Sequence, residues 1–201
     1  MKRSSGARRM NKIVCVDGIP IVHVFGRTLV LLVRHGIRFV VESQDALRRT
    51  QQSIDLLHET GFDEIVKDTG MFIVVLNTSP GNFSAHMGYD KTTIGFFDFE
   101  FLIRMSVRYF ASAIVHEARH SQQLRDTFSG SRLQRESDAC NIQIDFLHCV
   151  GGNKEIKYIE DLFRSRKYWW KHSKKEQADW RRWIKENELI LYGLKELGVV
   201  S

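Results

Sequence analysis

Residues 116 to 120 read His-Glu-Ala-Arg-His, and this spacing constrains the chain more than any other feature. On an α-helix, positions i and i+4 share one face, so His116 and His120 can grip one metal ion while Glu117 stands beside it as a base toward water. That geometry requires a helix, and the flanks supply one. Ile103, Val107, Phe110, Ala111, Ile114, Val115 and Ala118 recur at intervals of three and four, with neither Gly nor Pro from Glu100 to Ser129. The plain alternative is two ordinary histidines on an amphipathic helix. The next segment argues against it.

A catalytic zinc ion takes three protein ligands and keeps one position open, so a third ligand must lie within reach. Glu136 is the candidate. After Gly130, a residue of C-cap type, Ser131-Arg132-Leu133-Gln134 reads as a capping box that opens a new helix and puts Glu136 in its early turns. Ala139, Gln143, Leu147 and Val150 follow at intervals of three and four. They give one face with a carboxylate near its start, a small residue for close helix approach, and apolar packing beyond. Gly151-Gly152 ends it. Fifteen residues separate His120 from Glu136. If the first helix ran to Ser129, His120 would lie about 14 Å from the turn and Glu136 about 8 Å, at about 1.5 Å per residue. The ligands meet only if that helix ends near Leu124 or Arg125 and residues 126–131 form a loop. Otherwise Asp138 or Cys140 becomes the third ligand.

With these two helices the chain resembles the gluzincin metallopeptidases, in which a helix bearing H-E-x-x-H is followed by a second helix supplying a glutamate. The second helix here, Arg135-Glu136-Ser137-Asp138-Ala139, is similar to the E-x-x-A form of that motif. The resemblance implies zinc at His116, His120 and Glu136, Glu117 as general base, and a peptide or protein substrate. Residues 82–88 followed by 93–97 look like the edge strand and its neighbour that precede the active-site helix in such enzymes. The likeness spans residues 71–150, and its specific parts are the two helical motifs. It departs at position 140, where the thermolysin-like pattern places an aspartate that orients a zinc histidine and this chain has Cys140. Asp138, two residues after Glu136, points off the ligand face and reads as a solvated surface charge.

The rest of the chain reads as α+β. Residues 13–16, 20–25, 28–33 and 37–41 read as short strands divided by Gly18, Gly26 and Gly36, with hairpins at the short breaks. Ser43 opens a helix to about Thr60, and Met71–Leu76 is β-branched and apolar, a central strand. Helices are expected over residues 154–170 and 174–197. The expected architecture is a minimal zincin-like domain: a small, mostly antiparallel sheet, the active-site helix, the glutamate helix and extra C-terminal helices. Residues 1–12 form a basic flexible tail, 13–153 the zincin-like metallohydrolase domain, and 154–201 a helical extension packed on it.

Charge and composition narrow the function classes. A net charge of +6, with Lys and Arg interleaved among Trp169, Trp170, Trp180 and Trp183, raises a catalytically silent scaffold that binds nucleic acid or a protein. Trp180, Trp183, Ile184, Leu191 and Leu194 fall at helical spacings, so packing of the last helix is the stronger reading and nucleic acid is disfavoured. A metal hydrolase of a non-peptide bond is the other alternative. Cys15, Cys140 and Cys149, odd in number and scattered, fit reduced thiols in a cytoplasm. The apolar run Leu29 to Val33 is far too short for a membrane span, and no signal-peptide core follows the basic start. A soluble, cytoplasmic protein is expected. His148, Tyr158, Arg164, Tyr168 and His172 fall after the glutamate helix and compete for the role of oxyanion stabiliser. Sequence gives no basis for choosing among them, nor for an oligomeric state.

Overall fold

Three two-residue turns fold the start of the chain into a meander. Strands β1 (Lys12–Val16), β2 (Ile19–Val24), β3 (Arg27–Arg34) and β4 (Ile37–Val41) are joined at Asp17-Gly18, Phe25-Gly26 and His35-Gly36. Both central residues of each turn have positive φ, from 45° to 81°. This is the backbone that matches the right-handed twist of the strands it joins, with Gly at the second position. The structure, a computed structural model, describes residues 11–77, 84–89, 92–165 and 174–200.

Ser43 caps α1 (Gln44–Glu59), its side chain accepting from the Ala46 amide. A short helix the sequence reading did not resolve follows, α2 (Asp63–Thr69), stopped by Gly70 at φ 63°. Its seven residues are too few to display a helical period. Its first residue, Asp63, is buried and holds His58 Nδ1 at 2.8 Å and Lys67 Nζ at 3.0 Å. The chain continues through β5 (Phe72–Leu76), β6 (Ser84–Tyr89), β7 (Thr92–Asp98) and the single turn α3 (Phe99–Leu102). Then come α4 (Val107–Arg125), α5 (Arg132–Cys149), α6 (Asn153–Ser165) and α7 (Lys174–Glu196).

The described strands form one sheet in the order β1-β2-β3-β4-β5-β7-β6. Neighbours run antiparallel except at β4–β5 and β5–β7, which are parallel. The fold is α+β with a mostly antiparallel sheet. β5, central as its apolar run implies, is buried at every position. Ile73 and Val75 face a core made with α1, α2, α4, α5 and α6. Phe72, Val74 and Leu76 face the other way, onto Ile190, Leu191 and Leu194 of α7. The expected C-terminal extension therefore divides: α6 packs beside α5, and α7 covers the opposite face against β2. Gly193 makes that approach possible, because a Cβ there would stand 2.0 Å from Val24 Cγ2. Residues 166–173, with Trp169 and Trp170, lie outside the described residues, as do the side chains of Trp180, Trp183 and Ile184. No described helix is long and apolar enough to cross a membrane.

Candidate metal centre

α4 begins where Ser106 Oγ accepts the Tyr109 amide at 3.0 Å and ends at Arg125, with Asp126 as its C-cap and Thr127 turning away at φ 49°. Ile103, read as the first residue of the periodic face, lies before this cap and is exposed. Both halves of the capping box at α5 form: the Gln134 amide donates to Ser131 Oγ and the Ser131 amide donates to Gln134 Oε1. The first helix thus stops where the ligand spacing demands, and α5 packs directly on α4.

Those two helices bring three donor atoms together. His116 Nε2 and His120 Nε2 are 3.0 Å apart, and each lies 3.6 Å from an oxygen of Glu136. Two ligands of one tetrahedral ion bonded at about 2.0–2.1 Å stand about 3.3 Å apart, so the spacing fits an ion of zinc's size. Two imidazoles and a carboxylate also form a donor set zinc takes. His116, His120 and Glu136 are the group capable of holding a metal ion among the described residues, with ligand atoms all within 4.8 Å of one another. Their side chains are 16–21% exposed, so the centre is sheltered yet reachable from solvent.

The three side chains are electrostatically coupled. Burial alone would raise the Glu136 carboxyl, but His116 and His120 overcome it and hold the group well below the usual carboxylate range. Burial likewise disfavours charge on His116, yet Cys140 and Glu136 beside it keep the imidazole well above its ordinary value.

Glu117, the candidate base, is 5% exposed and follows His116 on α4. It lies about 60° around the helix from His120, by the 3.6-residue turn. The reading of Asp138 as a solvated charge is corrected: it is half-buried and takes two hydrogen bonds from Arg119, at 2.6 and 3.2 Å, and one from Gln123 at 2.8 Å. Arg119 on α4 reaches across to α5, a partnership that spacing along one helix could not reveal. Cys140 lies beside His116 rather than among the three converging atoms.

The oxyanion candidates scatter. His148 is exposed on α5, about 18 Å along the axis from Glu136 at 1.5 Å per residue, and does not join the centre. Arg164 is exposed and engaged with Glu160 and Asp161 on its own helix. Tyr158 lies edge-on to Tyr109, ring centroids 5.7 Å apart. Tyr168 and His172 fall outside the described residues.

Two residues at the centre were not singled out from sequence. Tyr109, seven before His116 and so on its face of α4, keeps its proton well past the usual range because it is buried and neighbours Tyr158, Cys140 and Glu117. Gln123, three after His120, accepts a hydrogen bond from that histidine's Nδ1 at 2.9 Å. Helical spacing from the two histidines, applied outward in both directions, is the signal that would have found them. Comparisons with family models, curated proteins and solved structures each return no match. The functional reading therefore stands on residues and geometry.

Proposed function

We propose that this chain is a zinc-dependent metallopeptidase of gluzincin type, hydrolysing a peptide bond in an extended substrate. The observation that supports it is the convergence of His116, His120 and Glu136 at ion spacing, with Glu117 adjoining on the same helix. His116 and His120 from α4 and Glu136 from α5 would hold the ion. Zinc, when bound, supplies Lewis acidity that polarises a carbonyl and brings the pKa of water toward about 7. The Glu117 carboxylate takes a proton from the attacking water and afterwards gives it to the nitrogen of the departing amine. Its burial keeps bulk solvent from competing for that proton. Tyr109, held neutral near Glu117, keeps a phenol hydrogen in the same neighbourhood.

The peptide reading is supported by β6. Among the described residues this strand pairs with β7 alone, ends the sheet, and lies against α4. An extended chain can join such an edge through main-chain hydrogen bonds, which suits a peptide better than a compact small molecule.

The test joins metal and activity. Elemental analysis of the purified protein should give one zinc per chain, and digestion of a peptide library should disappear with Glu117→Gln or a chelator. Protein that binds no zinc after reconstitution would overturn the proposal.

A further inference from the structure

We infer that Gln123 is the positioning residue of this centre: one side-chain amide fixes the His120 tautomer and ties it to the helix that carries Glu136. This rests on the metal reading above. Gln123 is only 4% exposed, and all three of its hydrogen bonds are to protein groups. Nε2 donates to the Arg135 carbonyl at 2.9 Å and to Asp138 Oδ2 at 2.8 Å. An amide nitrogen has two hydrogens and accepts none, so both are used. Flipping the amide would set an oxygen against a carbonyl and a carboxylate. Oε1 therefore faces His120 Nδ1, 2.9 Å away, and an oxygen that can only accept requires the hydrogen on Nδ1.

The consequence appears at the other ring nitrogen. A neutral imidazole with its hydrogen on Nδ1 presents Nε2 as a lone pair, the form a metal ligand needs. That Nε2 is the atom 3.0 Å from His116 Nε2 and 3.6 Å from Glu136 Oε1. His116 has no amide of this kind: its Nδ1 is buried with no hydrogen bond reaching it, and Cys140 is the side chain beside the ring.

Gln123 also spans the two half-sites. The carbonyl it holds belongs to the residue before Glu136, and Asp138 is gripped in turn by Arg119 of α4. The clamp sets one ligand's ring and the height of the other ligand's helix with the same group.

The experiment reads the tautomer directly, in metal-free protein, from long-range proton–nitrogen correlations of ¹⁵N-histidine. The parent should show His120 with its hydrogen on Nδ1. Gln123→Met, similar in length but with no polar groups, should lose that preference and weaken zinc binding by about 10- to 100-fold in competition with a chromophoric chelator. Gln123→Glu keeps the acceptor but places a carboxylate against Asp138, so it should keep the tautomer at a lower melting temperature. Parent protein with the His120 hydrogen on Nε2 would overturn the inference even if the Met variant failed to fold. Equal zinc affinity of a folded Met variant and the parent would also overturn it. A parent with the expected tautomer that binds no zinc would support Gln123's action on His120 and remove the metal reading instead.

Discussion

His120 Nε2 stands 3.6 Å from Glu136 Oε1, too far for a good hydrogen bond and close to the separation of two ligands on one ion. The other oxygen of the same carboxylate lies 3.6 Å from His116 Nε2. A carboxylate placed evenly between two imidazoles loses hydrogen-bond strength on both sides, and a cation among the three would recover it. His116→Ala, His120→Ala and Glu136→Ala should each lose most bound zinc after dialysis, whereas Glu117→Gln should keep it, as elemental analysis would show. Full zinc in Glu136→Ala would shift the third ligand to Asp138 or Cys140.

Glu117→Gln separates chemistry from binding. The substitution keeps size and removes the base, so turnover should fall by about 10²- to 10⁴-fold with melting temperature near that of the parent. Chelation should abolish the parent's activity and added zinc should restore it. Unchanged turnover in the variant would take Glu117 out of the mechanism.

Local signals made much of this centre readable in advance. H-E-x-x-H, the Ser131 capping box and the helical spacing after Glu136 each concern residues within a few positions of one another, and helix geometry converts them directly into a shared face. The end of α4 at Arg125 followed from the requirement that two half-sites meet. Asp138 was misread because its partner, Arg119, belongs to another helix, and periodicity along α5 carries no information about what faces it. Gln123 went unnoticed because three residues beyond His120 on a largely apolar face it reads as an ordinary amide. Its function lies in acceptors from α5. The placement of α7 on the far face of the sheet was equally invisible, since an amphipathic stripe states that a face is buried but not against what.

Asp63 should contribute to the acid response of the helical layer. Burial opposes its charge, but hydrogen bonds from His58 and Lys67 outweigh that and hold its carboxyl below the ordinary range. A lowered folded-state pKa gives stability that is present above the unfolded value of about 3.9 and lost as pH falls through the folded value. Asp63→Asn should therefore cost about 1–3 kcal/mol near neutrality, with the gap from the parent closing as pH drops below about 4. Urea unfolding of both proteins at neutral and acid pH measures it; a gap that does not change with pH would exclude Asp63 as a source of the acid response.

Gly193 tests whether α7 supports the sheet independently of the centre. An added Cβ would meet Val24 Cγ2 at 2.0 Å, so α7 must lift from β2. Overpacking of this kind costs about 1–3 kcal/mol, offset in part by the helix preference of Ala over Gly of about 1 kcal/mol. Gly193→Ala should lower the melting temperature while zinc stoichiometry holds, because α4 and α5 lie on the other face. A variant as stable as the parent would show that α7 tolerates a wider seat.

The last expectation concerns how substrate is held. The edge strand anticipated within residues 82–88 corresponds to β6, with residues 82 and 83 outside the described residues; Ala85 pairs with Phe96 and His86 with Gly95 of β7. Of two consecutive residues on an edge strand, one turns its N–H toward the partner strand and the other toward the open side. Proline removes that N–H and fixes φ, so Ala85→Pro and His86→Pro should behave oppositely. The variant whose lost N–H faced β7 should melt at lower temperature. The other should keep its circular dichroism, melting temperature and zinc, yet show a several-fold loss of kcat/KM on an extended peptide. Ala85→Ser, which leaves the main chain intact, should be nearly silent. If the well-folded proline variant matched the parent in catalytic efficiency, main-chain capture at β6 would be excluded and the substrate would have to dock elsewhere along α4.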